Sequence, residues 1–193
     1  MGGLVLLAAC SREPIRTYLA PSQRPSANPL AELFGQPQDA PASADQAPLK
    51  FTSPLPAGWT SDPTPHPMRL ATVDIKNGTQ QAQITITAFP GDVGGVLANI
   101  NRWRGQMELP PVTSQEQQPL GKITLAGHPA LLLDLAGAPA AGQPARRMIV
   151  AFGMINGQTY FIKLLGPDGL VGAQKKDFIA YVQGLKLAEV THG

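Results

Sequence analysis

The sequence predicts an α+β domain, an antiparallel β-sheet flanked by helices, and three observations carry that prediction. Two Asn-Gly pairs, Asn77-Gly78 and Asn156-Gly157, each separate runs rich in β-branched and aromatic residues. This is a hairpin signal, because both residue types tolerate positive φ. Apolar residues recur at three- and four-residue spacing from Val93 to Met107 and again from Val171 to Leu185, the period of a helix that buries one face. Strands paired locally, with helices laid across them, make the α+β arrangement.

Each element follows in order. The domain opens at Leu49-Lys50-Phe51-Thr52-Ser53 and passes through Pro54-Leu55-Pro56-Ala57-Gly58-Trp59, with Trp59 as a core or edge anchor. Asp62 to Pro67 is a proline-rich loop, since proline fixes φ and removes a donor. Residues 69–76 and 82–89 are two strands. Either Leu70, Thr72 and Asp74 or Ala71, Val73 and Ile75 face the core, with Ile84, Ile86 and Ala88 sharing a face opposite. After Pro90-Gly91, Asp92 is placed to cap a helix by accepting from its free first-turn amides. Val93, Val96, Leu97, Ile100, Trp103 and Met107 form its stripe; Asn99, Asn101, Arg102, Gln106 and Glu108 fall largely off it, and Pro110-Pro111 ends it. Residues 121–126 and 130–135 make a strand pair around Gly127-His128-Pro129, followed by a Pro/Gly/Ala loop over 136–145. Residues 146–152 and 158–165 flank the second Asn-Gly pair. Val171, Lys175, Phe178, Val182 and Leu185, with Ile179 beside them, form the last helical stripe.

The 193 residues hold one ordinary domain and a tail. Fifteen Lys and Arg stand against thirteen Asp and Glu, scattered along the chain, so no basic stripe for nucleic acid is visible. Charged residues are 15% of the chain, below the roughly 25% usual in soluble domains, while Gly and Pro number twenty each.

Much of that excess lies at the N-terminus. Met1 to Cys10 reads MGGLVLLAAC, a short apolar run directly before the single cysteine, and Leu7-Ala8-Ala9-Cys10 resembles the lipobox of bacterial lipoproteins. The resemblance implies a signal peptide over 1–9, removal of it at the small Ala8-Ala9 pair, and a Cys10 thiol that receives diacylglycerol. No Lys or Arg precedes Cys10, where a secretory signal has a basic n-region; this fits a start codon further upstream. The apolar run is too short for a transmembrane helix of about 20 residues, so the membrane enters through acyl chains. The competing reading makes Cys10 an ordinary core thiol. Residues 10–48, the cysteine and a stretch rich in Pro, Ala, Ser and Gln, have no sustained period and form a disordered tether. As a random chain it reaches about 30–40 Å. Pro29-Leu30-Ala31-Glu32-Leu33-Phe34 within it is a transient turn or a docking peptide.

The Phe51-to-Trp59 segment with its Pro-Ala-Gly-Trp, the meander, the middle helix and the closing Tyr-Phe-Ile-Lys-Leu-Leu-Gly-Pro strand-to-helix run together resemble the PsbP-like fold over 49–187. That fold is an αβα sandwich, found also in a Ran-binding nuclear import factor and in bacterial envelope lipoproteins of the DcrB type. Residues 89–111 are similar to a segment of envelope lipoproteins that have no assigned activity. The resemblance implies location and fold but no chemistry. Residues 188–193 are a flexible C-terminus.

Candidate sites are few. The glycines after Pro90 lack both the P-loop and the dinucleotide spacing, and Asp92 repels phosphate; Gly94 and Gly95 are expected to bring the first helical turn close to the sheet. His66, His128 and His192 sit in turns or near the terminus without metal-site spacing. No nucleophile elbow occurs, and Asp74 and Asp134 are a carboxylate pair only if the sheet brings them together. The expectation is therefore no enzyme, no cofactor and no metal. If a partner surface exists, the helix edge at Arg102, Trp103 and Arg104 is the candidate, since Arg and Trp are enriched at hot spots, although Trp103 also belongs to the buried stripe. The function expected is that of a lipid-anchored, periplasm-facing envelope protein that binds an envelope protein or supports assembly. The alternatives are a small-ligand or envelope-glycan binder and a degenerate hydrolase. Ser11 in place of Asp removes a common inner-membrane retention cue and points to the outer membrane.

Overall fold

The computed structural model describes residues 50–139 and 144–188. The segments expected to be a signal peptide and a tether, with Cys10, as well as His192 and the last five residues, lie outside the described residues.

The elements are β1 (Phe51–Thr52), β2 (Trp59–Asp62), β3 (Ala71–Asn77), β4 (Gln80–Pro90), α1 (Gly95–Gln106), a short 3-10 turn (Gln115–Gln117), β5 (Gly121–Leu125), β6 (His128–Ala136), β7 (Arg146–Ile155), β8 (Gln158–Pro167), α2 (Asp168–Gly184) and β9 (Lys186–Leu187). Seven strands form one antiparallel sheet in the order β2-β3-β4-β8-β7-β6-β5, while β1 and β9 pair separately. The fold is α+β, with the sheet between two helices. Sequence reading anticipated neither β2 nor β9, which are short and lack a clear alternation.

The hairpins set the register. Asn156 and Gly157 both have positive φ, 51° and 75°, and form the two-residue loop that joins Ile155 to Gln158. In the first hairpin Asn77 instead pairs with Gln80, so the loop is Gly78-Thr79, one residue later than the dipeptide suggests. The β5–β6 loop is likewise Ala126-Gly127 rather than a turn centred on His128, which already pairs with Leu125.

Strand alternation divides the core in two. Ala71, Val73 and Ile75 take the inward side of β3, and with Ile84, Ile86, Tyr160, Ile162 and Ile149 they pack under Leu170, Val171, Phe178, Tyr181 and Val182 of α2. On the opposite face Leu131, Leu133, Leu135, Met148, Val150, Phe152 and Phe161 pack under Val96, Ile100, Trp103 and Met107 of α1. Each fully buried aliphatic or aromatic side chain contributes about 1.5–3 kcal/mol against exposure.

Connectivity decides where α1 lies. The chain leaves β4, an inner strand, and must reach β5 at the far edge, so α1 crosses the β8-β7-β6 half of its face. The side of that face around β3 and β4 presents polar side chains instead: Asp74, Gln81, Gln83 and Thr85 alternate with the buried row on the other side.

Three details of α1 correct the sequence reading. Its N-cap is Gly94 rather than Asp92, although Asp92 Oδ1 does accept from the Gly95 amide at 3.2 Å. Added Cβ atoms at Gly94 and Gly95 would meet only Ala98 Cβ, 3.8 Å from the former. The glycines serve their positive φ values, 79° and 73°, and not close packing. Asn99, expected off the stripe, is buried at 5% exposure because its Nδ2 donates to the carbonyls of Val93 and Gly95 at 2.7 and 2.8 Å.

Candidate functional site

The α1 edge singled out from sequence splits into three different environments. Trp103 is 3% exposed and packs edge-on against Phe152 and Phe161, with ring centroids 5.1 and 5.5 Å away, so it takes the buried alternative. Arg104 turns toward the loop after the helix, donating from Nε to Pro110 O at 2.6 Å and from Nη1 to Gln118 Oε1 at 2.7 Å. Arg102 donates from Nη2 to Asn99 Oδ1 at 2.6 Å, and its guanidinium lies over both Trp103 and Phe161, 5.7 and 5.6 Å from the ring centroids. Only Arg102 reaches the border with the polar part of the sheet face.

At that border lies an open groove of about 530 Å³, its walls including Arg69, Gln83, Thr85, Arg146, Lys163 and Leu165. Lys163 is on β8, the central strand, directly across from Thr85 of β4 and Val150 of β7. Arg146 starts β7 opposite Pro167. Arg69 follows a turn in which its amide donates to His66 O at 3.3 Å, and its Nη1 donates to Gln83 Oε1 at 3.2 Å. Gln83 in turn donates Nε2 to Asp74 Oδ1 at 3.0 Å, the carboxylate on the β3 side.

The charges do not balance locally. Among the described residues Arg69, Arg146 and Lys163 form no ion pair. Burial, and then the neighbouring charges of Arg69, Arg102 and Arg146, hold the Lys163 ammonium below the ordinary lysine value. Three cations therefore line one groove, with Arg102 near enough to act on Lys163, and its neutral lining, Gln81, Gln83 and Thr85, supplies hydrogen-bonding groups.

The other candidates do not assemble. Asp74 and Asp134 point to opposite faces: Asp74 bonds Gln83, while Asp134 lies beneath α2 with Arg147 and Lys175. His66 Nε2 sits 3.6 Å from Asp62 Oδ2 on an exposed loop. Among the described residues no group of three His, Cys, Asp or Glu side chains is placed to hold a metal ion. No helix among them is long and apolar enough to cross a membrane.

Sequence reading missed the groove because Arg69, Arg146 and Lys163 are far apart in the chain and meet only through strand order. One signal was available: Lys163 interrupts the apolar run Tyr160-Phe161-Ile162-Lys163-Leu164-Leu165. A charge inside such a run belongs to a strand with one incompletely covered face.

No protein-family model matches the chain, and no curated protein matches it. Solved structures do. A Bacteroides thetaiotaomicron protein aligns at TM-score 0.45 and 10% identity over 72% of this chain, which spans only 46% of that protein's length. LpqN of Mycobacterium tuberculosis, described as involved in cell envelope biogenesis, aligns at TM-score 0.48 and 13% identity, covering 76% of this chain and 88% of LpqN. Cyanobacterial PsbP (CyanoP) from Synechocystis aligns at TM-score 0.46 and 12% identity, covering 76% and 96%. At these identities and TM-scores the functions of those proteins do not transfer to this chain.

Proposed function

We propose that this chain is a lipid-anchored bacterial envelope protein whose domain works by binding rather than by catalysis, engaging an envelope protein or supporting assembly of an envelope complex. The observation that carries the binding role is the cationic groove beside α1, where charges gather without an ion pair among the described residues. The anchor rests on Leu7-Ala8-Ala9-Cys10, with the Pro-rich tether behind it as the spacer. A second reading, a small-ligand or envelope-glycan binding module, is favoured by the same groove.

Two experiments test this. Replacing Cys10 with Ala is expected to move the protein from the membrane fraction to the soluble fraction of the native host; an unmodified Cys10 by intact mass defeats the anchor. Crosslinking in that host followed by mass spectrometry is expected to return a reproducible envelope partner. A domain that shows no partner yet gives a saturable thermal shift with a small molecule favours the second reading.

A further inference from the structure

We propose that the groove bounded by Arg69, Arg146 and Lys163 is a binding site for the phosphate of an anionic lipid headgroup, laying this sheet face against a membrane surface. The choice of a lipid over another anion rests on the membrane-anchored reading above.

The charge distribution comes first. On the other face Arg147 and Lys175 are matched by Asp134 at 2.7 and 2.8 Å. On the groove face Arg69, Arg146 and Lys163 form no ion pair among the described residues, Asp74 on that face being bonded to Gln83, and Arg102 stands close enough to add to the repulsion on Lys163. A half-buried ammonium on the central strand of a sheet is unfavourable unless an anion completes its surroundings. Guanidinium forks flanking an ammonium, beside the amides and hydroxyls of Gln81, Gln83 and Thr85, suit the several oxygens of a phosphate.

The shape and rim select the carrier. The groove is open on the sheet surface, so it receives a headgroup presented from one side and does not enclose a whole molecule. Met68, next in the chain to Arg69, is 71% exposed and held at φ 63°, a left-handed conformation unusual for methionine. An exposed apolar side chain beside a cationic groove matches a bilayer interface, where phosphates and acyl chains lie close together.

The test uses the full chain carrying Cys10→Ala, so that no acyl chain contributes, and cosedimentation with two kinds of vesicle. One is pure phosphatidylcholine; the other is phosphatidylcholine and phosphatidylglycerol in equal parts. The expected result is binding to the anionic vesicles only. Arg69→Gln, Arg146→Gln and Lys163→Gln should each weaken it roughly fivefold, and Lys122→Gln, on the edge strand β5, should leave it unchanged. Arg69 and Arg146 are exposed, so those two variants keep their fold. Equal binding to both vesicles overturns the proposal, as does a Lys122→Gln loss equal to the groove variants. Saturable binding of inorganic phosphate that blocks the vesicles reassigns the groove to a soluble phosphate and also overturns it. Failure of the anchored reading is visible separately, as absence of the wild-type chain from the native membrane fraction.

Discussion

Arg147 and Asp134 meet fork to fork, Nε donating to Oδ1 at 2.7 Å and Nη2 to Oδ2 at 2.8 Å. Lys175 of α2 donates to the same Oδ2 at 2.8 Å, so one carboxylate joins β6, β7 and the helix that covers them. Charge-assisted bonds of this kind contribute about 1.5–3 kcal/mol each where burial is partial, and Asp134→Asn should destabilise the domain by an amount of that order. The effect should depend on pH. Burial works to raise the Asp134 value, but the bonds from Arg147 and Lys175 outweigh it and hold the carboxyl below 3.8. A folded value below the unfolded one means that the contribution is complete above the unfolded value and is lost as pH falls through the folded one. Urea midpoints of wild type and Asp134→Asn should therefore converge as pH drops below 3.8. Curves that stay parallel through the acid range would show that the difference does not come from the charge on Asp134.

Lys163 has the opposite sign. Its value is lowered by burial and by Arg69, Arg102 and Arg146, so the protonated form opposes folding. Lys163→Gln should stabilise the unliganded domain by about 0.5–1 kcal/mol, the scale of like-charge pairs near a surface. Between the folded and unfolded lysine values the unfolded chain binds more protons, so wild-type stability gains as pH rises there. The advantage of Lys163→Gln should accordingly shrink as pH approaches 10.5. Melting curves at neutral and alkaline pH measure it. An advantage that grows with pH would place the origin in packing.

These two lysine and aspartate environments show what the chain discloses before folding. Hairpin chemistry at Asn156-Gly157 and the stripe Val96, Ile100, Trp103 are local, and both are legible because i to i+4 spacing is printed in the sequence. The identity of the α1 cap was only half legible: Asp92 does accept an amide, but the positive φ of Gly94 and Gly95 shifts the helix start. The groove was legible only as Lys163 inside an apolar run. Arg69 and Lys163 become neighbours through the β3–β4 and β4–β8 pairings together, the second a contact of long sequence separation that no period encodes. The same holds for Trp59, whose indole N–H donates to Gln174 Oε1 at 2.8 Å.

The turn before Arg69 holds an avoidable strain. Pro67 and Met68 occupy its central positions, closed by the Arg69 amide on His66 O, and Met68 has φ 63° where such a turn favours Gly or Asn. Because Met68 is 71% exposed, replacing it removes little packing. Met68→Asn should stabilise the domain by about 1 kcal/mol, the scale of left-handed strain for an ordinary residue. Differential scanning calorimetry should show a higher Tm; a lower one would mean that the methionine side chain packs more than its exposure implies.

The tightest approach in the sheet lies under the groove. A Cβ built on Gly166 would stand 2.5 Å from Ala82 Cβ, 2.8 Å from its Cα and 3.2 Å from Gln81 O. Two of these three atoms are backbone, so no rotamer change relieves the contact and β8 must move away from β4. Gly166→Ala should cost about 1–3 kcal/mol, the usual penalty of overpacking, seen as a lower urea midpoint. Ala82→Gly in the same chain removes the nearest atom but leaves the Cα and carbonyl contacts, so it should recover only part of the loss. The strand shift should also carry Lys163, three residues before Gly166, away from Thr85, and weaken any anion bound between Arg69 and Arg146. If Gly166→Ala lowers stability while a double variant with Ala82→Gly recovers none of it, the cost comes from the backbone contacts with Ala82 Cα and Gln81 O and not from the Ala82 Cβ.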